Sequence, residues 1–272
     1  MEIMTSRLMM FKKNSILNVV ILIFCAGCAL ADLRPQALHS DELPLAAQKQ
    51  GQEILDASAR ELGISANWNQ VKTWEIEATD VWKNKIFRHL TPIKQPEQKF
   101  KMTIDLTQEN TKMVFLDGKF KNDVIGIDQS GSYRITKQKR TNRRYGDVLL
   151  YLPHVRSYFL WPEVLRTYPL VAYAGEGKMG KEMYDKVFVT KGNILPHFED
   201  NQYIVWVNRQ NKRIDYIEFT LRDLLGSLHG VVGYRDYHDV QGMQLPFEVI
   251  LLDRMDGEKY SHKLVVERMS FQ

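Results

Sequence analysis

From residue 71 onward the chain is written in short runs of alternating hydrophobicity, and that limits the folds open to it. "VKTWEIEAT", residues 71–79, puts Trp74, Ile76 and Ala78 on one side of an extended chain and Thr73, Glu75 and Glu77 on the other. That is the period of a half-buried strand. Comparable runs follow at 100–107, 112–116, 124–128, 132–137, 170–174, 184–190, 203–208, 214–221, 231–237, 245–253 and 259–271. Turn chemistry separates several of them: "LDGK" at 116–119, "QSGS" at 129–132, "RQNK" at 209–212 and "RMDG" at 254–257. Gaps of hairpin length make sequence neighbours antiparallel neighbours. No helical segment recurs at the spacing of a βα crossover, which disfavours a doubly wound parallel sheet.

An antiparallel sheet with one wet face alternates cleanly. "KMVFL", "YIVWV" and "FEVILL" carry apolar side chains on both faces, so much of the sheet is expected to be covered twice. One segment could supply the inner cover. Residues 148–168, "VLLYLPHVRSYFLWPEVLRTY", are apolar and aromatic, with Pro153 and Pro162 inside. Proline suits a helix's first turn and breaks its interior, so the segment reads as one or two short helices, the second near 162–168. A further helix is expected over 42–62. Leu43, Ala46, Ala47, Ile54, Leu55, Ala59 and Leu62 share a face there, and Gly63 is placed to stop it. The expected fold is mainly β: a strongly curved antiparallel sheet, or unclosed β-barrel, wrapped around short helices with an N-terminal helix. A two-sheet sandwich also fits but gives 148–168 less to do.

The N-terminus has the layout of an export signal. Arg7, Lys12 and Lys13 precede an apolar run from Ile16 to Phe24, and small residues follow. The run is about a dozen residues, short of the roughly 20 needed to span a bilayer. Translation could start at Met1 or Met10. Two cleavages compete. "FCAGC" resembles a bacterial lipobox, which would make Cys28 the lipidated first residue, although Cys25 stands where that pattern usually has Leu. "ALA", Ala29 to Ala31, would instead release a soluble chain from Asp32. Ala26-Gly27-Cys28 is the more specific string and is preferred. A Cys-x-x-Cys redox pair would have to sit inside the apolar run without a βαβ scaffold, and is set aside. The organisation is then a signal over 1–27, a lead or tether over 28–40, and one domain over 41–272.

The whole chain has 37 basic and 33 acidic residues. Removing 1–27 takes away Arg7, Lys12, Lys13 and Glu2 and leaves 34 against 32, a net charge of +2. That balance, like export, argues against a nucleic-acid binder. No cysteine lies beyond Cys28, so no disulfide stabilises the domain.

Three motifs could carry chemistry. "GEGKMG", Gly175 to Gly180, matches a dinucleotide-binding string, but the segment after it alternates like a strand where that site needs a helix. It reads as a glycine-rich hairpin turn. "YRDYHD" sets Tyr234, Asp236 and His238 on one strand face. Asp236 and His238 could begin a metal site for a hydrolase, but no second ligand cluster supports them. "KQKRTNRR", 137–144, reads as a solvated basic loop. No metal or other cofactor is expected.

Three longer stretches together resemble the LolA-like, lipoprotein-carrier superfamily. They are "ILDASARELGISANWNQVKTWEIEATDVW", "YDKVFVT…YIVWVNRQNKRIDYIEFT" and "YHDVQGMQLPFEVILLD". The resemblance covers most of 50–272. It implies an unclosed barrel around helices with an apolar cavity, and carrying rather than catalysis. The function expected from it is an exported, lipid-anchored protein that binds lipid or lipoprotein acyl chains, without nucleic acid as a partner. It would face the periplasm, anchored in the outer membrane through Cys28, or be soluble in the periplasm if cut after Ala31. Candidate ligand contacts are Trp74, Phe115, Tyr158, Phe159, Trp161 and Trp206. The alternatives are a structural or interaction lipoprotein without a ligand, and the hydrolase using Asp236 and His238.

Overall fold

A computed structural model describes residues 30–272 except 41, 223–225, 256 and 258. The expected export signal, residues 1–27, and Cys28 lie outside the described residues. Thirteen strands form one antiparallel sheet. β1 (Thr73–Trp82), β2 (Glu97–Asp105), β3 (Thr111–Phe115), β4 (Val124–Asp128), β5 (Gly131–Thr136) and β6 (Lys139–Asn142) run as one meander. β7 (Leu170–Met179), β8 (Glu182–Thr190), β9 (Gln202–Asn208), β10 (Ile214–Thr220), β11 (His229–Val240), β12 (Met243–Leu252) and β13 (Tyr260–Phe271) run as a second. The two meanders join where β13 pairs with β1. β6 and β7 are left as unpaired edges, so the sheet does not close.

Four helices complete the frame: α1 (Leu45–Glu61), the one-turn α2 (Ile64–Asn67), α3 (Lys85–His89) and α4 (Gly146–Val164). α4 carries the chain from one sheet edge to the other across the inner face. Val148, Tyr151, Leu152, Val155, Tyr158, Phe159, Leu160 and Trp161 are all buried, on every side of the helix. They share one core with Met113 and Ile125 of the first meander and Val187, Val205 and Ile217 of the second. A helix about 10–12 Å across touches both halves only because the sheet curls around it. The apolar composition on all sides is what a fully enclosed helix requires.

The expectation of short helical pieces cut by proline is corrected: α4 is continuous, with Pro153 and Pro162 inside it, and a 3₁₀ turn, Leu165–Thr167, follows. Pro162 lacks the N–H that would bond the Tyr158 carbonyl four residues back. The hydroxyl of Tyr234, from β11, donates to that carbonyl instead, at 2.8 Å. The sheet therefore replaces the hydrogen bond that the proline removes.

The inner and outer faces of the sheet differ along its length. On β1 the inward positions are Trp74, Ile76, Ala78, Asp80 and Trp82. The outward ones form a charged ladder, with Lys101–Glu75 at 2.9 Å, Lys99–Glu77 at 3.2 Å and Lys99–Glu267 at 2.5 Å. The second meander is covered on both sides. Leu33, Leu38, Leu43 and Ala47 lie on Ala172, Ala174, Phe188 and Ile204 of its outer face. The lead segment is thus docked from Ala31 onward, whose N–H donates to the Gly226 carbonyl at 2.9 Å. α1 lies against β7 so closely that a Cβ on Gly51 would stand 2.7 Å from the Ala172 carbonyl carbon, which shields the backbone of that edge strand.

Two further expectations change. "KQKRTNRR" is not a loop: Lys137 and Gln138 make a left-handed two-residue turn, with φ of 51° and 63°, and Lys139–Asn142 is the exposed edge strand β6. Its Arg140 bonds Asp128 at 2.6 Å and covers the Tyr133 ring at 3.8 Å, so charge protects this edge from strand addition. In "GEGKMG" the residues up to Met179 belong to β7, and the turn is confined to Gly180 and Lys181. Gly177 is required there because a Cβ would meet the Trp206 ring at 2.3 Å.

Candidate ligand cavity

At one end of the curled sheet the core is incomplete. A cavity of about 320 Å³ opens between the N-terminal half of α4, the ends of β1, β12 and β13, the β10–β11 hairpin and α3. That is the lower end of the 300–1,000 Å³ typical of small-molecule sites. Its walls are mostly apolar, with Trp82, Leu150, Val155, Tyr158, Leu228 and Leu251 prominent. The polar side chains on it are those of Thr91, His154, His229, Asp253, Ser261 and His262, besides the hydroxyls of Tyr151 and Tyr158.

A buried polar network lies at the inner wall. The Asp80 carboxylate is fully buried and receives three bonds. Tyr151 Oη donates to Oδ2 at 2.6 Å and Trp82 Nε1 to Oδ2 at 2.7 Å, while His262 Nδ1 lies 2.8 Å from Oδ1. An ionised carboxylate only accepts, so Nδ1 of His262 carries the hydrogen. Nε2 has no hydrogen-bond partner among the described residues, and the ring lines the cavity. The ring also stacks on Trp82, centroids 4.1 Å apart and planes 12° from parallel. The cavity thus combines apolar walls with imidazoles that can meet a polar end group, His262 held through Nδ1 by Asp80 and His154 through Nδ1 by the Leu150 carbonyl at 2.5 Å.

Burial, and then the adjacent Asp80 carboxylate, raises the Tyr151 hydroxyl well above its ordinary 10.0. Burial likewise raises Tyr158 and Tyr234. In the unfolded chain these hydroxyls ionise near 10.0, and in the folded chain only well above that. Above about pH 10 the unfolded state therefore binds fewer protons than the folded one, and stability falls as pH rises. The denaturant midpoint should drop on crossing that pH. A midpoint that stays level would mean that these phenols ionise freely in the native state.

The structure distributes the six candidate aromatics over three places. Tyr158 is on the cavity wall. Trp161 stands behind it, 5.4 Å from Tyr158 and 4.8 Å from Phe219. Trp74 and Phe159 meet edge-on at 5.8 Å deeper in the core, and Phe115 belongs to the same core on β3. Trp206 is on the outer face, its Nε1 donating to Glu218 at 2.7 Å. Asp80, Trp82, Tyr151 and His262 were not anticipated. Strand parity was the available clue: Asp80 and Trp82 continue the inward set of β1, and His262 shares the inward face of β13 with Leu264 and Val266.

Asp236 and His238 pair with each other at 2.9 Å and are well exposed. Tyr234 is not on their face. Asp236 has a φ of 54°, which breaks the alternation, so Tyr234 points inward and the two candidate ligands outward. Among the described residues no group of three or more His, Cys, Asp or Glu is placed to hold a metal ion.

The sheet is curled and antiparallel, open along one side, and encloses a helix with a cavity at its end. Two solved structures are similar to the chain. A structure described as an outer membrane lipoprotein-sorting protein domain, from Vibrio parahaemolyticus, matches with a TM-score of 0.52 at 10% identity, covering 83% of this chain and 93% of that one. A LolA superfamily protein from Nitrosomonas europaea matches with a TM-score of 0.46 at 13% identity, covering 82% and 93%. No family model and no curated protein sequence matches the chain.

Proposed function

We propose that this chain is an exported, lipid-anchored envelope protein that holds an apolar ligand, a lipid or a lipoprotein acyl chain, in the cavity beside α4. The observation that carries the reading is the cavity itself: apolar walls, an open mouth, and a few polar groups that include the imidazole of His262, oriented by Asp80. A non-binding structural protein has no need of such a space. Burial of an acyl chain contributes about 0.8 kcal/mol per methylene, so a cavity of this size supports useful affinity. Tyr158 and His262 are the residues proposed to touch the ligand, while Trp74, Phe115, Phe159 and Trp161 shape the wall behind them and Trp206 stands apart. The role is carrying rather than catalysis, in lipid or lipoprotein handling on the periplasmic side of a bacterial envelope. The lipoprotein-sorting description of the Vibrio structure supports that placement.

One measurement tests both halves. Mass spectrometry of protein purified from membranes should show an added diacylglyceryl mass on Cys28 under denaturing conditions and a further, non-covalent lipid under native conditions. A clean polypeptide mass from Asp32 would move the chain to the soluble periplasm. Native protein free of lipid, with no uptake of a fluorescent fatty acid, would refute the ligand reading.

A further inference from the structure

We propose that the rim of the cavity is a membrane-docking face, and that α3 rests on an anionic lipid surface with the cavity opening onto it. Three independent observations converge on this rim.

The first is apolar exposure. Asn84 caps α3, its Oδ1 accepting from the N–H groups of Ile86 and Phe87, both at 3.1 Å. The capped turn presents Ile86 at 78% exposure, Phe87 at 45% and Leu90 at 50%. Phe87 and Leu90 continue into the cavity wall, so the exposed patch and the cavity form one surface.

The second is charge. Residues 83–94, "KNKIFRHLTPIK", hold Lys83, Lys85, Arg88 and Lys94 and no acidic residue. Basic side chains interleaved with Ile, Phe and Leu on a short amphipathic element match the interface of an anionic bilayer. The one carboxylate on the cavity lining, Asp253, is engaged by the Ser261 hydroxyl at 3.1 Å.

The third is where the chain leaves the domain. Leu221 and Leu228 line the cavity, and the hairpin they close also holds the N-terminal segment. Arg222 bonds the Ala31 carbonyl at 2.5 Å, and Gly226 touches Leu30 and lies near Phe198, which is 70% exposed. Cys28 is three residues before Ala31, a reach of at most about 10 Å for any backbone conformation. A lipid on Cys28 would therefore hold this rim close to the bilayer. This third argument rests on the anchored reading of Cys28; the first two do not. Docked in this way, the protein would exchange an apolar ligand with the bilayer without exposing it to water.

The test uses residues 28–272 with Cys28→Ser, which contain the whole sheet and lack the covalent anchor. Flotation is compared with vesicles of phosphatidylcholine alone and of equal parts phosphatidylcholine and phosphatidylglycerol. The protein should float with the anionic vesicles, and added salt should weaken the association. Lys85→Glu combined with Ile86→Ser should lower partitioning at least about tenfold. Neither residue lines the cavity, so retention in native mass spectrometry of a fatty acid loaded from solution should be unchanged in that variant. That retention separates failure of the docking face from failure of the ligand reading. Equal flotation of wild type and variant would overturn the proposal. So would a wild-type dimer that the double substitution makes monomeric without any vesicle binding, since the patch would then belong to a second copy of the chain.

Discussion

Asp80→Ala is expected to destabilise the fold by about 3–5 kcal/mol, because it removes one partner of a buried charged network and leaves the others unpaired. For a chain of this size that is a fall in Tm of roughly 6–20 °C, at about 2–4 °C per kcal/mol. The reason lies in the geometry. Three donors, from Tyr151, Trp82 and His262, converge on one carboxylate that water does not reach. Truncation leaves all three without an acceptor, and a small void beside them. Tyr151→Phe removes one donor only and should cost about 1.5–3 kcal/mol, the range for a hydrogen bond to a charged group. Asp80→Asn keeps the shape but turns an amide N–H toward a donor, so its cost should fall between these two. Thermal melts of the three variants against wild type give the ordering. A melting temperature for Asp80→Ala within a degree or two of wild type would show that the network closes over the gap with water or rearranges.

The sheet was readable from the sequence because its signal is local. Alternation and turn chemistry repeat every few residues, and the observed strands fall within a few residues of the expected runs. The exception, β6, was hidden because all four of its residues are exposed. A strand with no buried face has no period to detect. The continuity of α4 was illegible for the opposite reason. It depends on a hydroxyl from Tyr234, distant in the sequence from the Tyr158 carbonyl that it bonds, and no window around Pro162 contains that information. The polar network lies between these cases. The expected first strand stops at Thr79, and carrying its parity three residues further would have put a carboxylate, Asp80, among inward aromatics. What parity cannot supply is the partner. Trp82 and His262 face each other only through the β1–β13 register, which closes the longest span of chain in the fold. The six candidate aromatics stand out in the sequence only by residue type. Type marks burial well, but only the tertiary fold decides which buried aromatic borders a cavity and which fills the core.

The cavity itself is the feature whose perturbation should affect function most. Leu228 sits at its wall, half-buried, on the β10–β11 hairpin and away from the Asp80 network. Leu228→Trp should push an indole into the roughly 320 Å³ available. If that displaces about three methylenes of a bound chain, the loss is roughly 2.4 kcal/mol, or about fiftyfold in affinity. The fold should survive, since the added bulk enters empty space rather than a packed core. Leu45→Trp is the matched control, because Leu45 is 83% exposed at the start of α1 and adds the same indole away from the cavity. Titration of both variants with a fluorescent fatty acid, alongside native mass spectrometry for retained lipid, reads the difference directly. Equal affinity for the two variants would place the ligand elsewhere than beside α4. A selective loss in Leu228→Trp, at an unchanged melting temperature, would assign it to this cavity, where the imidazole of His262, fixed by Asp80, is placed to meet its polar end.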